Sequence, residues 1–383
     1  MPEWWLDLAR LLYKTMAPHP ARWLPISKII MSAARSNPVT QCERIDPLAD
    51  DAWDRQVTAR DDHSVFHRSA WARVLAETYG HHPLYLRILV AGVEAALVPL
   101  MEVRSPLTGR RGVSLPFSDF AGPLWTGPRQ ATAVYQALMD VAAERKWKHL
   151  EIRGGSTPVP GARPFRTYDA HELDLSSGIV EIKRLIPAST RRAIHKAERS
   201  GLTITVGHDV QALLEFYHLH SRTRRRHGLP PQPLAFFQSL GHHLIESGLG
   251  EIVLAYLGET AVAGAVFFHS GGKAIYKFGA SESAFWGLRP NHLVMWRAIQ
   301  HLVDAGCRSL HFGRTATGDV GLARFKRSWA CTGENLEYYR YHVGKLAWIP
   351  AENPPAESHP LIFGHLPIAL NRIAGRLIYP HLD

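Results

Sequence analysis

The sequence predicts a mixed α/β (α+β) chain of two lobes, with mixed sheets flanked by helices and a cleft between them. Three observations carry that expectation. The chain has 383 residues, enough for two cores of ordinary size. Its two halves present the same order of elements: helix, antiparallel strands, helix, strand. Late in the second half, a short strand enters a glycine-rich, hydroxyl-rich, basic stretch, residues 305–329 (AGCRSLHFGRTATGDVGLARFKRSW).

In the first half, Pro38 and Pro47 make residues 37–51 a connector. Apolar spacing over 67–79 predicts a helix stopped by Gly80. The runs 84–90 and 95–103, joined through Ala91-Gly92, read as a β-hairpin. A strand at 113–116 opens into Phe117-Ser118-Asp119-Phe120-Ala121-Gly122-Pro123. A helix over 132–145, a strand at 149–153, a Gly/Pro-rich loop and a strand at 171–175 complete this half.

The second half predicts helical segments at 180–185 and 188–200, then a strand at 202–206. A helix over 209–227 ends in Arg222, Arg224, Arg225 and Arg226, cations that suit a helix C-terminus. Another helix spans 234–247, followed by meander strands at 252–257, 260–269 and 273–280. A helix over 290–304, the strand 309–312, the basic loop from Gly313 and a strand at 336–341 close it. The expected divisions are 1–36 (amphipathic helical segment), 37–175 (first lobe), 176–345 (second, catalytic lobe) and 346–383 (amphipathic tail).

A formal net charge of +10 implies an anionic partner: nucleic acid, an anionic membrane or a phosphorylated substrate. Cys42, Cys307 and Cys331 lack metal-type spacing, so a reduced compartment and no metal are expected. Glu3 and Asp7 stand where a signal peptide would be basic, and no apolar run is long enough for a membrane span. The expected location is therefore cytoplasmic. Two stripes modify it: Trp4, Trp5, Leu8, Leu11 and Leu12 at one end, and Phe363, Leu366, Ile368, Leu370, Ile373 and Leu377 at the other. Both suit either packing on the protein itself or peripheral contact with the inner face of the cytoplasmic membrane.

Six segments, in order, carry a family resemblance. They are Trp71 with Glu77-Thr78-Tyr79-Gly80-His81; Ser114-Leu115-Pro116-Phe117 before Gly122; the helix 188–201; Leu288-Arg289-Pro290-Asn291-His292; Phe312-Gly313-Arg314-Thr315; and Phe325-Lys326-Arg327-Ser328-Trp329. Over roughly 53–341 the chain resembles the FemAB-like proteins of the GNAT acyltransferase superfamily. Among them it is most similar to the subgroup that accompanies exosortase and exopolysaccharide loci.

The resemblance implies two tandem GNAT-like lobes and transfer of an acyl or aminoacyl group to an amine or hydroxyl of an anionic cell-envelope or exopolysaccharide acceptor. The donor would be acyl-CoA or aminoacyl-tRNA, with acyl-CoA preferred because no tRNA-binding coiled-coil arm is visible. The alternative is a non-catalytic scaffold of an envelope-polysaccharide system. The family's Phe-Lys pair falls on Phe325 and Lys326, with Lys326 as the cation that steadies a developing oxyanion. Arg314 joins it, and the base is Asp119 or His311, the latter standing where the family carries an acidic residue. Tyr276 and Lys277 on the central strand, Asn291, His292 and Trp296 on the helix over 290–304, and Trp329 are expected to meet substrate. Arg191, Arg192 and Lys196 form a basic face for phosphates, although adjacent arginines cannot share one helix face. The turn before Pro290 holds a single glycine, Gly287, so a tight diphosphate cradle is not evident there.

Overall fold

The computed structural model describes residues 39–351 and 362–383; the amphipathic segment expected at 1–36 lies outside them. The first-half elements are β1 (Thr40–Ile45), α1 (Trp53–Thr58), α2 (Ser69–Tyr79), β2 (His82–Pro83), β3 (Tyr85–Val90), β4 (Val93–Val98), β5 (Met101–Ser105), β6 (Gly109–Val113), β7 (Leu124–Trp125), α3 (Ala131–Glu144), β8 (His149–Arg153) and β9 (Arg166–Asp174). Next come α4 (Gly178–Leu185), α5 (Ala188–Glu198), β10 (Leu202–Gly207), α6 (Val210–Arg226), α7 (Leu234–Leu240), β11 (Gly250–Leu257), β12 (Thr260–Ser270) and β13 (Lys273–Ser281). The chain ends with α8 (Pro290–Asp304), β14 (Ser309–His311), β15 (Thr315–Ala316), α9 (Val320–Arg327), β16 (Thr332–His342), β17 (Ala347–Ile349), α10 (Ile362–His365) and α11 (Ile368–Ile378).

The expected mixed α/β architecture is present, with one addition. A small sheet has the order β1-β3-β4-β7. The large sheet runs β10-β11-β12-β13-β14-β9-β16-β8-β6-β5-β2, unbroken across residues 175 and 176. Two strands interleave the halves: β9 pairs with β14 of the second half, and β16 inserts between β9 and β8. Helices cover both faces, because α8 buries Leu293, Val294, Trp296, Ile299 and Leu302 on one and α6 buries Leu213, Phe216 and Tyr217 on the other.

Three local expectations need correction. The connector at 37–51 contains β1, whose alternating burial pairs it with β3; the flanking prolines masked that pattern. The run 95–103 is two strands, since Pro99 interrupts the ladder and sends β4 to the small sheet and β5 to the large one. The basic cluster at 324–327 lies on α9 rather than on a loop, and the Asp319 carboxylate caps that helix by accepting from the Leu322 N–H at 3.0 Å.

The tail packs in part on the body. Asn371 Nδ2 donates to the Leu229 carbonyl at 3.2 Å, and the Tyr379 hydroxyl to the Pro230 carbonyl at the same distance. Asp383 pairs with the buried Arg111 at 2.5 Å. Leu370, Ile373 and Leu377 remain about half exposed on the other face. The arginines ending α6 are engaged within the protein: Arg222 pairs with Glu282, Arg224 donates to the Tyr379 hydroxyl, Arg225 to the Gly364 carbonyl and Arg226 to the Ser281 carbonyl. No helix among the described residues is long and apolar enough to cross a membrane.

The loop from β6 to β7 presses on the turn after β8. A Cβ on Gly122 would stand 2.4 Å from the Gly154 carbonyl oxygen and 2.6 Å from the Gly155 Cα, both backbone atoms. Gly122→Ala is therefore expected to cost about 1–3 kcal/mol, read as a fall in thermal midpoint. An unchanged midpoint would show that the two loops separate freely.

Candidate active site

The site begins where two parallel strands part. β13 and β14 pair in register through Lys273–Ser309, Ala274–Leu310 and Ile275–His311, and no further. Beyond that point β13 continues through Tyr276 and Lys277, while the other arm turns away at Gly313 and Arg314. A second parallel pair, β6 and β8, parts in the same way after Val113 and Glu151. That fork is closed by its own loop: the Ala121 N–H donates to the Arg153 carbonyl at 2.8 Å, and the Ser114 hydroxyl accepts from the Arg153 N–H at 2.8 Å.

The loop that closes the first fork delivers an acid to the second. Leu115 and Phe117 adopt left-handed backbone conformations (φ 54° and 60°), which cost on the order of 1–2 kcal/mol per L-residue. The surroundings hold them there. Trp71 Nε1 donates to the Pro116 carbonyl at 3.3 Å, and the Phe117 ring packs on Tyr79 and Tyr379. Asp119 then bridges both arms of the open fork, accepting from Lys277 Nζ at 2.7 Å on Oδ2 and from the Arg314 backbone N–H at 3.1 Å on Oδ1. Gly313 permits this approach, with φ 68° and an imagined Cβ only 3.1 Å from Asp119 Oδ1.

Burial alone would raise the Asp119 pKa, but Lys277 and Arg314 pull it down to about 2. Lys277 Nζ also donates to the Phe117 carbonyl at 2.6 Å and faces the rings of Phe66, Trp71 and Phe278. The guanidinium of Arg314 lies over Tyr168 and Tyr338 and donates to the Tyr338 hydroxyl at 3.0 Å. Tyr338 in turn donates to the Asp119 carbonyl.

Lys326 joins the same centre from α9. It is 2% exposed, and its ammonium donates to the carbonyls of Gly313 and Arg314 at 2.9 and 3.1 Å. An ammonium has three N–H donors, so one is left over. Burial lowers its pKa to about 8, although Asp119 opposes the shift. His311 Nδ1 accepts from the Gly313 N–H at 2.9 Å, and Nε2 faces Glu334 Oε1 at 3.3 Å. Because Nδ1 accepts a hydrogen bond, the ring proton is on Nε2, toward the carboxylate, with no lone pair free for an incoming nucleophile.

α9 is a shared wall. Its outer face lines a basic cleft of about 520 Å³ with Arg192, Lys196, Arg289, His292, Arg324 and Phe325. Phe325 packs against His292 at 5.5 Å and Trp329 at 6.1 Å between ring centres. The N-terminus of α8 opens here, and a helix N-terminus attracts anions. Burial holds His292 near 4, so it is neutral at pH 7.

Several candidates sit elsewhere. Trp329 is wholly buried and packs under Phe325. Arg191 Nη1 donates to the carbonyls of Lys183, Arg184 and Ile186 at the end of α4, and the exposed side chain borders a groove with Arg192. Trp296 borders a separate groove of about 360 Å³ with Lys183, Ile186 and His195. Asn291 donates to the Ser281 hydroxyl. The Tyr276 hydroxyl occupies the space where a Cβ on Gly279 would stand, 1.8 Å away. Tyr168, Tyr338 and Glu334 belong to the site although their local sequence carries no signal; only the register of β9 and β16 brings them in.

Residues 187–327 match the family model described as an acetyltransferase (GNAT) domain. No curated protein sequence matches the chain. The fold is similar to the crystal structure of FemX, with TM-score 0.62 and 14% identity over 78% of this chain and 96% of that one. It is also similar to a tandem GNAT protein from the clavulanic acid biosynthesis pathway (TM-score 0.54, 10% identity, 80% and 99% covered). A third is a conserved protein of unknown function from Bacteroides thetaiotaomicron VPI-5482 (TM-score 0.55, 11% identity, 78% and 98% covered). At these identities the likeness concerns the fold.

Asp119→Asn would leave the Lys277 ammonium buried without a counter-charge. The expected loss is about 3–5 kcal/mol in denaturant unfolding, with Lys277→Met in the same chain restoring most of it. Because the Asp119 pKa falls from 3.8 to about 2 on folding, its stabilisation is full above pH ~4 and fades as pH drops toward 2, about 2 kcal/mol in all. An acid-unfolding curve identical in the Asp119→Asn variant would contradict this pairing.

Proposed function

We propose that the chain is an acyltransferase that moves an acyl or aminoacyl group to an amine or hydroxyl of an anionic cell-envelope or exopolysaccharide acceptor, with acyl-CoA as the preferred donor and aminoacyl-tRNA as the other. The observation that carries the reading is the fork between β13 and β14, with Lys326 buried beside it and one ammonium N–H left over. The basic cleft at the start of α8 supports a donor bearing phosphates. The exposed stripe Leu370, Ile373 and Leu377 supports contact with a membrane surface carrying the acceptor. Reduced Cys42, Cys307 and Cys331 suit the cytoplasmic face.

In this scheme the acceptor amine attacks the thioester carbonyl, and negative charge collects on oxygen within reach of Lys326. The carbon–sulfur bond then breaks, and the proton taken from the amine by a base is passed to the departing sulfur, which leaves as the thiol. Asp119 serves as a clamp: at a pKa of about 2, with both oxygens engaged, it is a poor base. Proton removal falls to Glu334, whose side chain is half exposed, working beside the buried His311. A scaffold reading draws support from one feature, that Lys277 and Asp119 are already satisfied by protein groups.

Transfer from labelled acyl-CoA to an envelope lipid or glycan fraction is expected to fall by on the order of 10²–10³ in kcat in Lys326→Ala. With the parent protein, kcat/KM should decline above pH ~8 as the ammonium loses its proton, and Lys326→Arg should move that limb upward. Activity that rises through pH 8 would assign Lys326 to base catalysis. No turnover with either donor, with donor binding intact, would favour the scaffold.

A further inference from the structure

We propose that a second site, remote from the fork, binds a first-row divalent cation of zinc type through His208, Glu251 and His301. One ligand atom from each lies within 4.8 Å of the others. The three come from different elements: His208 follows β10, Glu251 is the second residue of β11, and His301 sits in the last turns of α8. Gly207 pairs with Ile252, which brings His208 beside Glu251. No spacing motif could reveal the set, since Glu251 and His301 alone are 50 residues apart.

An ordinary hydrogen bond does not account for the arrangement. His301 Nδ1 meets Glu251 Oε2 at 2.5 Å, yet Glu251 is 1% exposed and its other oxygen, Oε1, is buried with no hydrogen-bond partner. A buried carboxylate oxygen without a donor is costly, and a cation at that position removes the cost. The His208 and His301 rings lie 5.7 Å apart. Two imidazoles and one carboxylate favour zinc, nickel or copper over magnesium or calcium, which demand more oxygens. Three protein ligands leave a coordination position for water. A cleft of about 590 Å³ bordered by His301, Arg297, Gln300 and Asp304 offers an entry path.

His301 lies eleven residues along α8 from Pro290, about 16 Å at helical rise. The cation would therefore not touch the transferred acyl group. Its place is structural: it ties the outer strand β10 to β11 and α8.

The test uses tag-free, full-length protein stripped with chelator and titrated with ZnCl₂ by calorimetry. One equivalent per chain is expected, together with a higher thermal midpoint. His208→Ala keeps the Glu251–His301 hydrogen bond but removes a ligand, and should weaken uptake by about 100-fold or more, beyond the 10–100-fold of an outer-shell loss. Glu251→Gln, isosteric with the parent, should do the same while circular dichroism stays unchanged. Co²⁺ should give visible d–d bands in the parent and not in His208→Ala. No stoichiometric uptake, or equal affinity in His208→Ala, would overturn the proposal.

Discussion

The open fork is held by a single carboxylate. Parallel strands that part after three paired residues leave unpartnered backbone on both arms, and water or a collapsing side chain would ordinarily fill the wedge. Asp119 reaches one arm through the Lys277 ammonium and the other through the Arg314 N–H. Its own position is set by a strained loop from the other half of the molecule, locked by aromatic rings and by the Tyr338 hydroxyl. Remove the charge and the strained loop, the buried lysine and the turn at Gly313 each lose the partner that makes them tolerable.

The same logic explains why so many cations here are not available to a ligand. Lys277 and Arg314 have carbonyl, carboxylate or aromatic partners inside the protein, and the exposed Arg191 commits one of its nitrogens to the end of α4. A net charge of +10 therefore overstates what the surface near the fork offers. Around the cleft on the outer side of α9, the cations that face solvent are Arg192, Lys196, Arg289 and Arg324. Division of labour follows from the two faces of that helix: inward, one ammonium in a dry setting; outward, a wet basic surface where phosphates lose little solvation.

Much of this was legible in the residues. Periodicity located α2, α3, α6 and α8 closely, because each has a broad apolar stripe and a clear stop such as Gly80. The Gly313-Arg314 turn and Phe325-Lys326 also stood out, since glycine beside cations at a strand end has few structural uses. What escaped notice depends on long-range pairing. Tyr338 read as an ordinary strand residue and Glu334 lay outside the expected strand 336–341, until β16 is seen between β8 and β9. β1 was hidden by prolines on both sides, and α9 by the loop-like composition before it, although Asp319 was a usable cap signal. Arg191 looked like a phosphate ligand because sequence shows a cation but not the carbonyls it closes.

The interleaving of β9 and β16 has a consequence for how the chain is made. β8 gains its outer neighbour only when residues 332–342 have left the ribosome, and the Arg340–Glu151 contact spans 189 positions. Until then the first half carries a bare, hydrogen-bonding strand edge, and the buried Glu151 has only Arg153 of its two arginine partners. The nascent polypeptide thus waits, vulnerable to self-association, until β16 arrives to seal the earlier half.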